Sequence, residues 1–190
     1  MSDNSIFDKD FEKIDFSKEQ LPAREFDNCT FIECTFKKVD ISNCNFVDCR
    51  FVACDLSLVQ VYDTGFKSVL FESCKMIGID FQNCSNFLFS LEINNSQLSM
   101  SSFIDMSLKS SIFNHCLLQE VDFTDADLRG SVFNDCDFNR AIFLSTRMQK
   151  MDFRTNMNYS IQPEMNSISG AKFSLTGVKG LLHTYNIIVE

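Results

Sequence analysis

The side chains with the most chemical potential in this 190-residue chain are nine cysteines and two histidines. Five of the cysteines crowd into CTFIECTFKKVDISNCNFVDCRFVACDL, from Cys29 to Leu56. Thiols of this kind could hold zinc, close disulfides or fill space. Zinc favours paired CxxC units with histidine nearby, and here the cysteines fall at five-residue spacing. Their number is odd, and the start, MSDNSIFDKDFEKIDF, scatters acids and lysines with no apolar run, unlike an export signal. Reduced thiols in the cytoplasm are therefore expected.

The spacing gives a plainer role. Cys29, Cys34, Cys44, Cys49, Cys54, Cys74, Cys116 and Cys136 each precede a large apolar residue by two positions, and Cys84 keeps the same place in the register before it shifts. Elsewhere that slot carries Val39, Val59, Thr64, Val69, Ile79, Ser101, Ser111, Val121, Ala126, Ser131 and Ala141. It reads as a small interior slot in which cysteine packs as a small hydrophobe.

Acid–base or nucleophilic catalysis finds no better footing. It needs convergent groups in a concave pocket, whereas His115 falls at an outward turn and His183 in a terminal helical segment. Serines and aspartates are plentiful, but at positions that the repeat itself demands. There is no glycine-rich phosphate loop. The sequence reads as a non-enzyme with no catalytic residue, cofactor or metal.

Those slots belong to a strict period. Large apolar residues fall every five positions from Ile6 through Phe11, Phe16, Leu21, Phe26 and Phe31 to Phe81. The register slips by two residues within 82–92, then resumes from Ile93 through Leu98 and Phe103 to Phe153. On an α-helix five residues advance about 500°, which smears the side chains around the cylinder. On a flat strand an odd step alternates faces. What remains is a chain that turns a corner every five residues and always points the same position inward, a solenoid. Four pentads per coil would stack Phe11, Phe31, Phe51 and Phe71 in one column, and Leu21, Ile41, Val61 and Phe81 in another.

The other positions are polar. Asp15, Asp40, Asn45, Asp55, Asp80, Asp122, Asp127, Asp137 and Asp152 precede centres, and Asn28, Asn43, Asp48, Ser73, Asn83, Asp105, Asp125 and Asp135 follow them by two. Asn and Asp tolerate tight turns and bond to nearby backbone, which suits corners in a chain with six glycines. The net charge of −9 and pI near 4.7 argue against direct nucleic-acid binding. No apolar stretch reaches membrane-spanning length.

These residues resemble the pentapeptide-repeat family, whose pattern is a small residue, Asp or Asn, Leu or Phe, then two variable positions; VDFTD, ADLRG and CDFNR (121–125, 126–130, 136–140) match it closely. The resemblance covers roughly residues 4–157. It implies an all-β, right-handed quadrilateral β-helix with four pentads per coil. At about 4.8 Å per coil, about seven coils give a rod roughly 35 Å long. The organisation expected is a solenoid over 1–157, slipping at 82–92, and a closing coil, capping helix and dimerisation tail over 158–190.

The tail SIQPEMNSISGAKFSLTGVKGLLHTYNIIVE is similar to the topoisomerase-protecting subgroup, the Qnr-type quinolone-resistance and microcin-immunity proteins. Leu175, Val178, Leu181, Leu182 and Tyr185 recur at helical spacing, with Ser174 as N-cap and Asn186 as stop, and Ile187, Ile188 and Val189 read as a short strand. The resemblance implies a tail that caps the solenoid and pairs two copies into a longer acidic rod resembling duplex DNA. Val178, Leu181, Leu182, Tyr185, Ile187, Ile188 and Val189 are its candidate contacts. A cap alone would hide the last coil, and IIV adds apolar strand beyond that need. The long insertion that Qnr types use as a functional loop is absent from the repeats.

By this resemblance the protein would occupy the DNA-binding saddle of a type II topoisomerase such as DNA gyrase and protect it from a quinolone or a gyrase-poisoning toxin. The candidate acids are Asp105, Glu120, Asp122, Asp125, Asp127, Asp135 and Asp137. Duplex DNA carries a charge per about 1.7 Å, about 20 over 35 Å, so a net −9 would have to be well placed. The same acids could simply solubilise the rod. The alternative function is a non-catalytic adaptor binding another protein on its flat walls. Phe87, Leu88, Phe89 and Leu91 lie close together at the slip and could form a sticky surface for such a partner; they are expected instead to fill the irregular coil where the register shifts.

Overall fold

Residues twenty apart lie one above another. In the computed structural model, which describes residues 5–185, 187 and 188, the chain winds as a square coil whose walls are parallel ladders. The first wall is a four-stranded sheet of β1 (Ser5–Phe7), β3 (Glu25–Asp27), β5 (Asn45–Val47) and β7 (Gly65–Lys67). It continues through the bridges Ser107↔Asp127, Asp127↔Arg147 and Arg147↔Ser167. The second wall is a seven-stranded sheet of β2 (Asp10–Glu12), β4 (Thr30–Ile32), β6 (Arg50–Val52), β8 (Val69–Glu72), β9 (Leu91–Asn94), β10 (Ile112–Asn114) and β11 (Val132–Asn134). The third and fourth walls are single-residue bridge ladders, such as Asp15↔Thr35↔Asp55↔Lys75 and Asp80↔Ser102↔Asp122↔Ile142.

The centres point inward because each wall has room for one inward side chain. Phe31, Phe46, Phe51, Phe71, Phe103, Phe113 and Phe123 are fully buried. Phe11, Phe31, Phe51 and Phe71 stack at ring separations of 4.9, 4.7 and 4.9 Å, nearly parallel, within the favourable range for offset aromatic pairs. The four-pentad columns expected from the spacing are present.

At the corners the backbone turns left-handed. Asn28, Asn43, Asp48, Ser73, Asp105, Asp125 and Asp135 all have φ between 50° and 59°. Asn83 instead closes a 3-10 turn, Phe81–Asn83. The same conformation is imposed on Lys38, Leu58, Met100, Glu120 and Arg140, which are not turn formers. For a non-glycine residue it costs roughly 1–2 kcal/mol. The offset is a bond to the next coil: the Leu58 amide donates to Ile77 O at 2.9 Å and the Glu120 amide to Asn139 O at 2.9 Å.

The slip is an insertion of two residues. Val69 pairs with Leu91 and Phe71 with Ile93, a spacing of twenty-two in place of twenty. Ser85, whose amide donates to Thr64 O at 3.0 Å, still follows the old register. Asn86 stands outside where a first-wall centre is due, and Phe89 turns inward in its stead, edge-on to Phe66 and Phe81. Of the four apolar residues expected to fill this coil, Phe89 and Leu91 do. Phe87 and Leu88 face solvent at 68% and 66% exposure, because their positions continue the outward columns of Lys67 and Ser68.

The tail departs from expectation in two places. Its helical segment is two 3-10 pieces, Gly177–Leu181 and His183–Tyr185. Two glycines in five residues weaken an α-helix, and a Cβ at either would collide with Tyr159. The N-cap is Thr176 rather than Ser174, though the Ser174 hydroxyl accepts the Gly177 amide at 3.0 Å. Ile187 and Ile188 belong to no strand; apolar composition alone supplies no partner for their backbone. Asn186 and Val189 lie outside the described residues.

Candidate functional site

All nine cysteines are free and buried. Their slot does more than fill space: it supplies a hydrogen-bond donor to a carbonyl twenty-three residues back. Cys34, Cys54, Cys74 and Cys116 donate to Phe11 O, Phe31 O, Phe51 O and Ile93 O at 3.3–3.4 Å. Thr64, Thr146 and Asn156 do the same to Ile41, Phe123 and Phe133 at 2.8–2.9 Å. The clue in the sequence was that cysteine alternates there with threonine and serine as well as with valine. Burial pushes the Cys49 thiol up to about 12 and that of Cys84 higher still, so these sulfurs stay protonated.

The acids that precede centres bond locally. The Asp40, Asp55, Asp122, Asp137 and Asp152 carboxylates each accept the amide two residues on, at 2.8–3.1 Å. These are Asx turns that fix the corner to come. The Ser42 hydroxyl and amide hold Asp40 below its ordinary value, so it stays ionised at neutral pH.

Residues close in sequence fall on different walls, so the seven candidate acids do not form one surface. Asp137 is on the third wall, where its carboxylate takes Gln119 and Asn158 amides at 2.9 and 2.8 Å. Glu120 and Asp135 occupy the corners on either side of that wall, beside Arg140 at 3.5 Å and His115 at 3.8 Å. Asp127 is on the first wall, buried and ringed by Arg129, Lys109 and Arg147 at 2.7, 3.3 and 3.7 Å. Asp105, Asp122 and Asp125 share a different surface, the fourth wall and the corner that follows it.

That surface carries three further acids that sequence proximity did not suggest. Asp40, Asp80 and Asp122 occupy one ladder column, and Asp63, Asp105 and Asp125 project from the adjoining corner with φ of 50°, 56° and 59°. All are exposed except Asp122, which is half-buried. Between Asp40 and Ser145 the outward positions of this wall and corner hold no lysine or arginine. Arg24 touches its edge, donating to Ser42 O at 2.7 Å. From Asp40 to Asp125 is four coil steps, about 19 Å. Six charges over that length give one per about 3–4 Å, near the 3.4 Å of a single DNA strand.

At the C-terminal end Leu175, Val178, Tyr185, Ile187 and Ile188 are exposed, Leu175 at 94%. Leu181 and Leu182 are half-buried, and Leu181 rests on the core. The Tyr185 hydroxyl donates to Glu164 and ties the end to the last coil.

The family model described as "Pentapeptide repeat region" matches residues 5–81 and 24–103, and that described as "Pentapeptide repeats (8 copies)" matches 116–155. No curated protein sequence matches the chain. Among solved structures, a trypsin-treated variant of QnrB1, a plasmid-mediated fluoroquinolone resistance protein, is 19% identical, with 98% of this chain and 97% of that one covered and a TM-score of 0.64. HetL, a pentapeptide repeat protein involved in heterocyst differentiation regulation in Nostoc sp. strain PCC 7120, is 11% identical over 90% of this chain and 88% of its own, with a TM-score of 0.47. At 19% identity the likeness to the QnrB1 structure is one of fold.

Proposed function

This chain belongs to the pentapeptide-repeat family, and on that premise we propose that it is a non-catalytic, cytoplasmic decoy for duplex DNA. It binds the basic DNA-binding saddle of a type II topoisomerase such as DNA gyrase, and so shields the enzyme from a quinolone or a gyrase-poisoning toxin. The observation that carries the reading is the fourth wall, with Asp40, Asp63, Asp80, Asp105, Asp122 and Asp125 at the linear charge density of one DNA strand. The exposed apolar end formed by Leu175, Val178, Ile187 and Ile188 supports end-to-end pairing of two copies.

Gyrase supercoiling in the presence of a quinolone, with and without the purified protein, tests the reading. Protection that is lost in an Asp80→Asn, Asp105→Asn, Asp122→Asn variant supports it. No protection, together with no competition against DNA for the enzyme, overturns it in favour of an adaptor for another protein.

A further inference from the structure

The first wall has a charge order of its own. One outward column runs Phe7, Asp27, Val47, Lys67, Phe87, Lys109, Arg129, Gln149, and the next, at the corner, Asp8, Asn28, Asp48, Ser68, Leu88, Ser110, Gly130, Lys150. The N-terminal half is acidic, with Asp8, Glu25, Asp27 and Asp48. The C-terminal half is basic, with Lys109, Arg129, Arg147 and Lys150. Between them lie the exposed Phe87 and Leu88, with the Lys67 ammonium 5.0 Å from the Phe87 ring. Each half is also hollowed: a 260 Å³ depression lined by Glu25 and Asp27, and a 690 Å³ depression lined by Arg129 and Lys150.

We infer that the first wall is a self-complementary interface on which a second copy of this chain lies antiparallel. A two-fold axis across the wall, between the Lys67 and Phe87 rows, brings each row against the row equally far on the other side. Asp27 then faces Arg129 of the second copy, Asp8 faces Lys150, and Lys67 faces Phe87. Small residues, Gly65 and Ser85, meet at the axis. Glu25 falls opposite Asp127, whose charge is already covered by Lys109, Arg129 and Arg147. An isologous contact requires this reciprocity, with residue i on j and j on i, and the common coil spacing keeps the rows matched along the contact. The interface is separate from the tail and leaves the fourth wall free. Because the axis runs across the first wall, the fourth walls of both copies emerge on the same side, running in opposite directions.

Reciprocity gives the test its design. Asp8→Lys, and separately Lys150→Glu, put like charges face to face at both symmetric contacts. Each should weaken association about tenfold or more at low salt. Combining the two reversals in one chain should restore it. The corner exchanges suit the backbone, since Lys13 and Lys38 occupy equivalent corners at φ 55° and 60°, and Glu33 and Glu120 at 52° and 58°.

Light scattering after size exclusion reads the mass, and circular dichroism checks the fold. In a second measurement, Phe87→Cys places a surface thiol beside the axis while the nine native thiols stay buried, so a short bis-maleimide should yield a covalent dimer. The proposal is overturned if the single variants leave the mass unchanged, if the combined Asp8→Lys, Lys150→Glu variant associates no better than they do, or if Phe87→Cys gives no cross-linked dimer.

Discussion

Arg129 clasps Asp127 at two points, Nε to Oδ1 at 2.8 Å and Nη2 to Oδ2 at 2.7 Å, two residues along the same wall. The arginine lies partly in solvent and the carboxylate is buried, so the pair anchors a charge in the first wall rather than displaying it. The guanidinium holds the Asp127 carboxyl well below the usual range, with the Arg129 amide and Lys109 adding to the effect.

Replacing Asp127 with Asn should lower stability at pH 7 by about 2 kcal/mol, by removing the partner of three cations. A depressed folded value stabilises above the unfolded value, about 3.9, and that stabilisation is lost as pH falls through the folded one. The wild-type and Asp127→Asn curves should therefore converge as pH drops from about 5 to 2. Urea unfolding across that range measures the convergence.

The donor role of the cysteine slot separates two substitutions of similar polarity change. Cys136 donates to Phe113 O at 3.5 Å. Cys136→Ala removes donor and volume and should cost about 1–2 kcal/mol. Cys136→Thr keeps a donor, as Thr64 and Thr146 do in equivalent places, and should cost less than about 1 kcal/mol. Chemical denaturation of the two variants ranks them.

Native thiols should also be silent. With all nine buried, a thiol reagent added at pH 8 should release less than about one equivalent before unfolding. In denaturant it should titrate every cysteine. A fast-reacting native thiol would contradict the wall geometry.

Gly180 lies against the carbonyl of Tyr159, where an added Cβ would collide, and its own carbonyl accepts the Ile161 amide at 2.9 Å. Gly180→Ala should cost about 1–3 kcal/mol as an overpacked contact. It should also free the last turns, which limited proteolysis would show as early cleavage near residues 175–185.

Position on a wall should outweigh number of charges. Asp80→Asn, Asp105→Asn, Asp122→Asn should raise the concentration needed for topoisomerase protection about tenfold or more. Asp135→Asn with Glu120→Gln, on the corners of the third wall, should change it less than about threefold. Dose–response curves of supercoiling with quinolone present make the comparison.

The five-residue period made the square coil legible because every wall takes one inward side chain, and Phe or Leu can fill it without knowledge of its neighbours. The two-residue slip was legible for the same reason. Which acids stand together was not. Glu120, Asp122, Asp125 and Asp127 are neighbours in sequence, yet the chain turns a corner between them, so they occupy a corner, a wall, a second corner and a second wall. The true companions of Asp122 and Asp125, namely Asp40, Asp63 and Asp80, are reached through the coil stacking. The burial of Asp127 was hidden because it arises from cations one coil away on each side, Lys109 and Arg147. The tail misled because periodicity of apolar residues reports which face is covered, while Gly177 and Gly180 decide how tightly the chain can wind.

The detour at Phe89 and Ser90 shows how this architecture handles extra length. The added residues are taken up within one side of one layer, and by Ile93 the chain is again above Phe71. A change in length at that place stays local and leaves the layers before and after it aligned. The coil next to Lys67 is thus the joint at which the molecule can gain a loop, lose one, or carry a grafted segment without disturbing the remainder.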